Sequence, residues 1–335
     1  MAERGVDFSA SQIWIGRAVV PVILVAAPFV YNQIYFIHVM GLAMIASVAA
    51  LGMQLLIGYS GQLSMGQAAF FGIGAYTSGI LTKDYGVPFG VAFFASGLMA
   101  AISSLALAPI TRLRGVYLAV ATLGFTIVVF LILLNEEWLT GGSFGLLAIP
   151  WPSIGPVSLN ETGIYFLCLA VLVVIYMAFE RLVDSRFGRA LQAIMLDEDA
   201  ARASGVNVTL YKIKCFVIAA MVTGFAGCLF AHHSRYLNPD DFTFWRSIEI
   251  LIMVGVGGIG SMTGAIIGAF IVVLLPEYLR AFDEWRLVIF GVLLVLFMGL
   301  GKGGIVGFIS LALRQGGTVL ENGKRALLGR GSPRP

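Results

Sequence analysis

The sequence is poor in charged residues. Asp, Glu, Lys and Arg make up 12% of its 335 residues and hydrophobic residues make up 59%, whereas a typical globular chain has about 25% charged and about 45–50% apolar residues. Residues 18–82 contain no charged residue at all. At about 1.5 Å rise per residue, such a run can cross a roughly 30 Å hydrocarbon layer three times as helix. The scarcity of charge excludes a soluble or disordered chain and predicts an all-α polytopic membrane protein embedded in the lipid bilayer.

Cysteine is also scarce, which excludes a disulfide-built domain. The three cysteines, Cys168, Cys215 and Cys228, all lie in apolar stretches. Cys215 and Cys228 would be roughly 20 Å apart along one helix, so they cannot share a disulfide or a metal. We interpret all three as small buried hydrophobic residues and predict no metal site. The formal net charge of +3 is too small to indicate nucleic-acid binding.

Hydropathy and turn residues divide the chain into membrane segments. We predict segments near 18–36, 38–58, 62–82, 88–109, 116–134, 162–181, 212–233, 246–276 and 286–301. The transmembrane domain therefore covers 18–301. It follows a short cytosolic lead over 1–17 and precedes a partly flexible cytosolic tail over 302–335.

The placement of Lys and Arg predicts the orientation. Loop 135–161 contains neither residue, whereas basic residues concentrate in 109–115, in and beside the loop 184–211, and in the tail 302–335. Cytosolic loops of membrane proteins carry an excess of Lys and Arg. We therefore expect the basic segments and both termini in the cytosol, and loop 135–161 on the outside.

The run 246–276 decides whether this orientation is consistent. A single crossing there would carry the basic tail to the outside, whereas a hairpin of two short helices keeps it in the cytosol. Gly255, Gly257, Gly258 and Gly260 lie at the centre of the run and permit a sharp turn. We therefore predict about nine to ten membrane segments, with this run as a two-span or partly re-entrant hairpin.

Signatures of enzymes and of ion-coupled carriers are missing. The letters GxGxxG occur at 255–260, but in a membrane segment, and no phosphate-binding G-x-x-x-x-G-K-[ST] stretch exists. Ionisable side chains are almost absent from the predicted spans, although carriers driven by protons usually contain them. Glu249 is the nearest exception and lies one helical turn after Arg246, as an interfacial ion pair or, alternatively, a proton relay. We predict no enzymatic activity and an energy source outside this chain.

The segment 58–67 is rich in glycine and in polar side chains. Its candidate functional residues are Gln62, Ser64 and Gln67. Small residues at this spacing allow helices to approach closely, and amides and hydroxyls form hydrogen bonds between helices. The segment therefore serves helix packing or, if these side chains face a cavity, lines a translocation path.

The loop 184–211 has the pattern of a short cytosolic helix. Asp197, Glu198 and Asp199 suit a helix N-terminus, and Gly205 suits its C-terminal end. We expect an amphipathic helix parallel to the membrane that exposes Glu198 and Arg202 as a docking surface.

Taken together, the motifs resemble the permease subunits of bacterial branched-chain amino acid ABC importers, of the LivM type. The resemblance runs from about residue 38 to 310. It is carried by GYSGQLSMGQAAFFGIGAY (58–76), RGVYLAVATLGF (114–125), TGGSFGL (140–146), FGRALQAI (187–194), EDAARASGVNV (198–208) and GVGGIGSMTGAIIGA (255–269).

The resemblance implies both machinery and site residues. A binding protein would deliver the solute, a second homologous permease would complete the pore, and two ATP-binding subunits would drive transport, so that this chain binds no cofactor itself. The candidate coupling residues are Gly188, Arg189, Glu198, Ala200, Ala201 and Gly205. The candidate translocation path contains Gln62, Ser64, Gln67 and Thr122.

Two positions depart from the family pattern, and two other functions stay open. Met195 stands where the family usually has Arg, and Gly299-Leu-Gly301 replaces the usual Pro-x-Gly. Within the family, the solute is a branched-chain or related hydrophobic amino acid, or alternatively urea, a short amide or another amino acid. A secondary carrier or channel is the more distant alternative. We expect the bacterial inner membrane as the location.

Overall fold

The computed structural model describes residues 28, 33–113, 115–154, 157–280 and 285–299. Its helices are α1 (Ile34–Gln54), α2 (Gln67–Lys83), α3 (Phe89–Leu105), α4 (Val116–Asn135), α5 (Glu137–Thr140), α6 (Glu161–Asp184), α7 (Arg186–Leu196), α8 (Glu198–Ala203), α9 (Val208–Ser234), α10 (Phe244–Gly257), α11 (Met262–Tyr278) and α12 (Arg286–Gly299). The predicted lead 1–17, most of the predicted segment 18–36 and the tail 302–335 lie outside the described residues.

The long helices confirm an all-α polytopic membrane protein. Within the described ranges, the stretches long and apolar enough to cross a membrane are Ile34–Tyr59, Val116–Asn135, Glu161–Asp184 and Val208–Ser234. The pair α10–α11 adds a fifth if it is counted as one bent span. The predicted total of nine to ten segments and the orientation of the termini remain predictions.

Helix α9 runs through the core, and small residues let its neighbours approach closely. A Cβ atom on Gly227 would overlap the backbone of Phe71 in α2, and one on Gly74 would overlap the backbone of Gly224. Such contacts between backbones are how helices associate in lipid, where apolar side chains gain little by leaving the surrounding hydrocarbon. The glycines therefore fix α2 directly against α9.

Helices α3 and α4 expose apolar side chains on their outer faces. These are Val91, Phe94, Leu98, Met99, Ile102 and Leu105 on α3, and Val116, Tyr117, Val120, Ile127, Val128, Leu131 and Ile132 on α4. A soluble protein rarely exposes so much contiguous apolar surface. This surface suits contact with lipid or with another membrane subunit.

A small cap covers one end of the bundle. Strand β1 (Leu146–Leu147) pairs with β4 (Tyr236–Leu237), and β2 (Ser153–Ile154) pairs with β3 (Val157–Ser158), both antiparallel. Leu146 lies over Gly79 of α2, which places the cap above the C-terminal end of that helix. The cap belongs to the region in which the sequence predicts an outward-facing loop.

Helix α2 begins later than predicted. We predicted a helix over 62–82, but α1 ends in a π-helical turn at Leu55–Tyr59, residues 60–66 are not helical, and α2 starts at Gln67. Gly61 has a φ of +67°, which an ordinary side chain rarely adopts. The predicted break between the two helices, over 59–61, therefore extends to residue 66.

The predicted run 246–276 is divided into two helices. Helices α10 and α11 are bent by 120° relative to each other. Between them, Gly258 and Gly260 have φ values of +114° and +91°, a region of backbone conformation that favours glycine. Gly257 lies in the last turn of α10 directly against Gly264 of α11, where a side chain would overlap the facing backbone.

Candidate transport path and coupling surface

The non-helical segment 60–66 is held by side chains of neighbouring helices. Backbone N–H and C=O groups at membrane depth must find partners inside the protein. Thr122 accepts a hydrogen bond from the Met65 amide at 2.9 Å, and the Thr126 hydroxyl donates to the Met65 carbonyl at 2.8 Å. Both threonines belong to α4, so this helix replaces the hydrogen bonds that a continuous helix would make.

We call the segment 60–66 and the helix residues packed against it the 60–66 joint. The candidate path residues are all buried in this joint. Gln62, Ser64, Gln67 and Thr122 are at most 2% exposed. Ser64 accepts a hydrogen bond from the Gly66 amide at 3.2 Å. The structure thus brings the four residues together, although they make protein contacts and do not line an open cavity.

The two glutamines have incomplete hydrogen bonding. Gln67 accepts a hydrogen bond from Thr223 of α9 at 2.5 Å, and Gln62 donates to the Lys212 carbonyl at 3.3 Å. Gln62 Oε1 and Gln67 Nε2 are nevertheless buried without a partner in the part of the chain that the structure describes. An unsatisfied buried polar atom costs about 1–3 kcal/mol. Both atoms would gain a partner if an opening of this segment admitted water or a polar solute group.

The joint at 60–66 contacts the bend between α10 and α11. The Tyr59 hydroxyl donates to the Gly260 carbonyl at 3.0 Å. The side-chain oxygen of Gln54 accepts hydrogen bonds from the Gly260 and Ser261 amides at 2.5 and 2.6 Å. A Cβ atom on Gly58 would come within 2.9 Å of the Gly260 nitrogen. Two interruptions of regular helix therefore lie side by side. Paired discontinuous helices are a recurrent way of building transport sites within membranes.

The four candidate break glycines have different positions relative to this bend. Gly258 and Gly260 form the bend itself, and Gly257 packs against α11. Gly255 is inside helix α10, which ends only at Gly257. The bend therefore needs the left-handed conformations of Gly258 and Gly260 and the close contact at Gly257.

Helices α7 and α8 form an amphipathic layer across one end of the bundle. Ser185 caps α7 by accepting hydrogen bonds from Phe187 and Gly188, and Asp197 caps α8 by accepting from Asp199 and Ala200. These serine and aspartate caps explain where the helices begin. The inward-facing residues are Gly188, Leu191, Ile194 and Ala201.

The candidate coupling residues are split between the two faces of this layer. Arg189, Ala200 and Gly205 are exposed. Gly188 and Ala201 are buried, and a Cβ atom on Gly188 would overlap the backbone of Val183. The exposed residues are available to a partner, whereas the buried two fix the layer to the bundle.

We predicted that Glu198 would be exposed beside Arg202, but in the structure it is not. Its carboxylate pairs with Lys212 of α9, whose side chain is only 5% exposed. A buried ammonium group needs a counter-charge, and this need outweighs exposure of the acid on the surface. Arg202 pairs instead with Asp199 at 2.8 Å.

The layer also exposes an apolar residue that the sequence analysis did not single out. Leu196, the last residue of α7, is 88% exposed, and the neighbouring Met195 is 45% exposed. An amphipathic pattern assigns apolar residues to the buried face. An exposed leucine can therefore be recognised only once the rotation of the helix about its axis is known. The signal available in the sequence was Asp197, an N-cap residue that starts a new helix directly after Leu196.

The layer is connected to the buried joint through Lys212. The Lys212 ammonium contacts Glu198 of α8, and its carbonyl accepts the hydrogen bond from Gln62. A Cβ atom on Gly61 would be 3.5 Å from Met195 of α7. The amphipathic layer therefore touches Gly61 directly through Met195, and it reaches Gln62 indirectly through Lys212.

Comparison with known proteins identifies the family. Residues 35–298 match the family model described as "Branched-chain amino acid transport system / permease component". The chain is 34% identical over 302 residues to the high-affinity branched-chain amino acid transport system permease protein LivM of Escherichia coli (strain K12), which covers 83% of this chain and 71% of that protein. No solved structure matches the chain significantly.

Two further relatives show how wide this similarity is. The chain is 25% identical over 290 residues to the permease protein LivH of Escherichia coli (strain K12), covering 78% of this chain and 91% of LivH. It is 28% identical over 183 residues to a probable LivM of Methanocaldococcus jannaschii, covering 53% of this chain and 52% of that protein. The family match includes both interrupted helix pairs and the α7–α8 layer, and the chain therefore belongs to the permease component family of branched-chain amino acid transport systems.

Proposed function

We propose that this chain moves branched-chain or related hydrophobic amino acids through the bacterial inner membrane as one permease subunit of an ABC importer. One observation carries the proposal: two interrupted helices meet inside the membrane domain, and one of them is joined to the α7–α8 layer through Gln62 and Lys212. In this account, movement of the layer changes the packing of the 60–66 segment and opens the path for the solute.

The proposed assembly contains a second homologous permease, two ATP-binding subunits and a solute-binding protein. The similarity of the chain to both LivM and LivH supports a pair of related permeases. The exposed face of α7–α8, with Arg189, Leu196, Ala200 and Gly205, is the proposed seat of an ATP-binding subunit. ATP is bound and hydrolysed in those subunits, and this chain performs no covalent chemistry.

Charge distribution supports an external energy source. Within the described spans, ionisable side chains are few, and Glu249 is paired with Arg246 at 2.8 Å. Glu249 is thus engaged by a side chain of its own helix, unlike the unpaired intramembrane carboxylate that a proton relay would use. We therefore prefer ATP-driven import to a carrier driven by protons.

Uptake by the reconstituted complex tests the proposed solute. The tagged chain is purified with its co-purifying subunits, reconstituted in liposomes and supplied with its solute-binding protein and radiolabelled L-leucine. We expect saturable uptake that excess L-isoleucine and L-valine inhibit and that excess urea or acetamide leaves unchanged. Inhibition by urea or acetamide alone would replace the proposed solute by an amide within the same family.

A further inference from the structure

A cavity lies between the helices at a distance from the 60–66 joint. It has a volume of about 240 Å³ and is bordered by α1, α2, α9, α10 and α11. Most of its lining is aliphatic, with Leu42, Ile45, Ala46, Ile250, Met253 and Val273 as examples. Among the described residues that line it, Arg246 and Glu249 are the charged ones. This combination of an apolar wall with one cation and one anion is what distinguishes the cavity.

The two charged side chains are held on one wall. Arg246 Nη1 donates to Glu249 Oε2 at 2.8 Å, and Arg246 Nε donates to the Asp241 carbonyl at 3.3 Å. The guanidinium carbon also lies 5.8 Å from the ring centre of Phe71 and 5.6 Å from that of Phe230. Aromatic faces attract a guanidinium and restrain its position. Arg246 is thus fixed in place while its remaining N–H groups stay available.

Accessibility of the pair argues against a purely structural role. The side chains of Arg246 and Glu249 are 28% and 38% exposed. A partly exposed ion pair three residues apart on a helix contributes little to stability. Charged groups within a membrane domain are costly and usually serve a ligand or an ion. The stability of α10 therefore gives little reason for these two charges on an otherwise apolar wall.

A backbone acceptor borders the same cavity. Pro276 lies inside α11 and has no N–H group, so the carbonyl of Val272, four residues earlier, loses its usual helical donor. Val272 and Pro276 both line the cavity. A backbone carbonyl that lines the same cavity as a carboxylate is a suitable partner for an ammonium group.

We propose that this cavity binds a zwitterionic amino acid with an aliphatic side chain. The α-carboxylate binds Arg246, the α-ammonium group binds Glu249 and the Val272 carbonyl, and the side chain lies against Ala46 and Ile250. Arg binds carboxylates with a planar fork of donors, which fixes their orientation. The cavity is smaller than the roughly 300–1,000 Å³ of pockets for drug-sized ligands, as a small solute requires.

The position of the cavity indicates its place in transport. Phe230 lies in the last turns of α9, and Arg246 lies in the first turn of α10, at the end of the bundle that carries the β-strand cap. The α7–α8 layer lies at the other end. This inference rests on the proposed function: the cavity is the site that receives the amino acid from the solute-binding protein before the 60–66 joint opens.

Uptake by variants of the reconstituted complex tests the site. The KM for L-leucine is measured for Arg246→Gln, Glu249→Gln and the exchange R246E/E249R. Arg280→Gln is the matched control, because Arg280 also pairs with a glutamate three residues away, Glu277, but lies outside the cavity. We expect each single variant to raise the KM about tenfold or more, the scale of losing one charged hydrogen bond, and Arg280→Gln to leave it unchanged.

The exchanged pair separates a ligand site from a structural ion pair. R246E/E249R keeps the attraction between the two positions but inverts the charges presented to the solute. We expect the exchanged complex to assemble with the same subunits and to lose L-leucine uptake. Wild-type uptake by the exchanged complex would overturn the proposed site. If wild-type complex imports only a solute without both charges, such as urea, both this site and the proposed solute are wrong.

A cavity-filling variant tests the site without changing charge. Ala46 is partly buried and lines the cavity, so Ala46→Leu would occupy the space assigned to the solute side chain. We expect this variant to raise the KM for L-leucine more than the KM for L-alanine. An equal change for both solutes, or none, would show that the aliphatic wall does not contact the solute side chain.

Discussion

Single residues maintain the end of α8 and the 60–66 joint, the two features that the proposed transport mechanism uses. Gly205 is the clearest case. Its φ is +84°, and a Cβ atom built on it would meet no other atom within 4 Å. The glycine is therefore needed for its backbone conformation, since the space around it is free. A left-handed residue of this kind ends many helices and sets the direction of the chain that follows.

Replacement of Gly205 tests whether the end of α8 transmits force. We expect Gly205→Val to reduce the L-leucine imported per ATP hydrolysed by about tenfold, because a β-branched residue is strained at positive φ. Gly205→Asn should retain most coupling, since asparagine tolerates this conformation. Gly86→Val is the control, because Gly86 has a φ of +62° and equally open surroundings in another loop. Equal effects of the two valines would contradict a coupling role.

Gln67 offers the most direct test of the buried joint. Its Nε2 atom has no partner within the described structure, and its Oε1 accepts from Thr223, which also donates to the Ala219 carbonyl at 3.0 Å. Gln67→Leu would remove the amide at similar volume. We expect uptake to fall about tenfold while the complex still assembles, because the polar group available to the solute is lost. Uptake equal to that of Ser78→Ala, a buried polar control on the same helix, would assign Gln67 to packing.

At the scale of elements, the two helix interruptions differ in how far they could be predicted from the sequence. The division of 246–276 into two helices was predictable, because several glycines cluster at its centre and the charge distribution demands a return of the chain. The break after the first helix was predicted only over 59–61, and its extension to residue 66 was not. Its extent depends on the partners that replace its helical hydrogen bonds, Thr122 and Thr126, which are distant in sequence.

The α7–α8 layer shows the same limit. Its existence and its capping residues follow from local sequence, because serine and aspartate caps act within three residues. The side that each residue faces depends on packing against α9. The buried Lys212 could not be predicted from local sequence, and it is this residue that turns Glu198 away from the surface.

The exposed leucine of this layer gives a prediction for subunit docking. Leu196 is 88% exposed, and apolar side chains at the centre of an interface often dominate binding. We expect Leu196→Asp to reduce co-purification of the ATP-binding subunits about tenfold, and Leu196→Met to preserve it. Tyr85→Asp changes a comparably exposed aromatic residue, 74% exposed, in the loop after α2. A matching loss with Tyr85→Asp would mean that Leu196 has no special place in docking.

At the scale of the whole molecule, composition alone establishes the class of protein. The near absence of charge over long stretches is enough to predict a polytopic membrane domain, and the family match over 35–298 agrees with the motifs that the sequence carries. The cavity at Arg246 could be predicted only in part from the sequence. The spacing of Arg246 and Glu249 predicted an ion pair, but Phe71, Ala46 and Pro276 come from three other helices, and no local pattern shows that they meet.

The whole molecule is also consistent with energy supplied by partners. The α7–α8 layer leads to the joint, and the cavity lies at the opposite end of the bundle. A solute bound in the cavity can therefore be released only if a change at one end of the molecule reaches the other. We infer that ATP hydrolysis by subunits docked on α7–α8 supplies this change.

Uptake with defined energy sources tests this claim most directly. The complex is reconstituted in liposomes, and accumulation of radiolabelled L-leucine is compared with ATP on the side of the ATP-binding subunits and with a proton or sodium gradient alone. We predict accumulation against a concentration gradient with ATP, and none with either ion gradient. Accumulation driven by an ion gradient without ATP would contradict the account and assign the chain to secondary transport, with Glu249 as the first residue to reconsider.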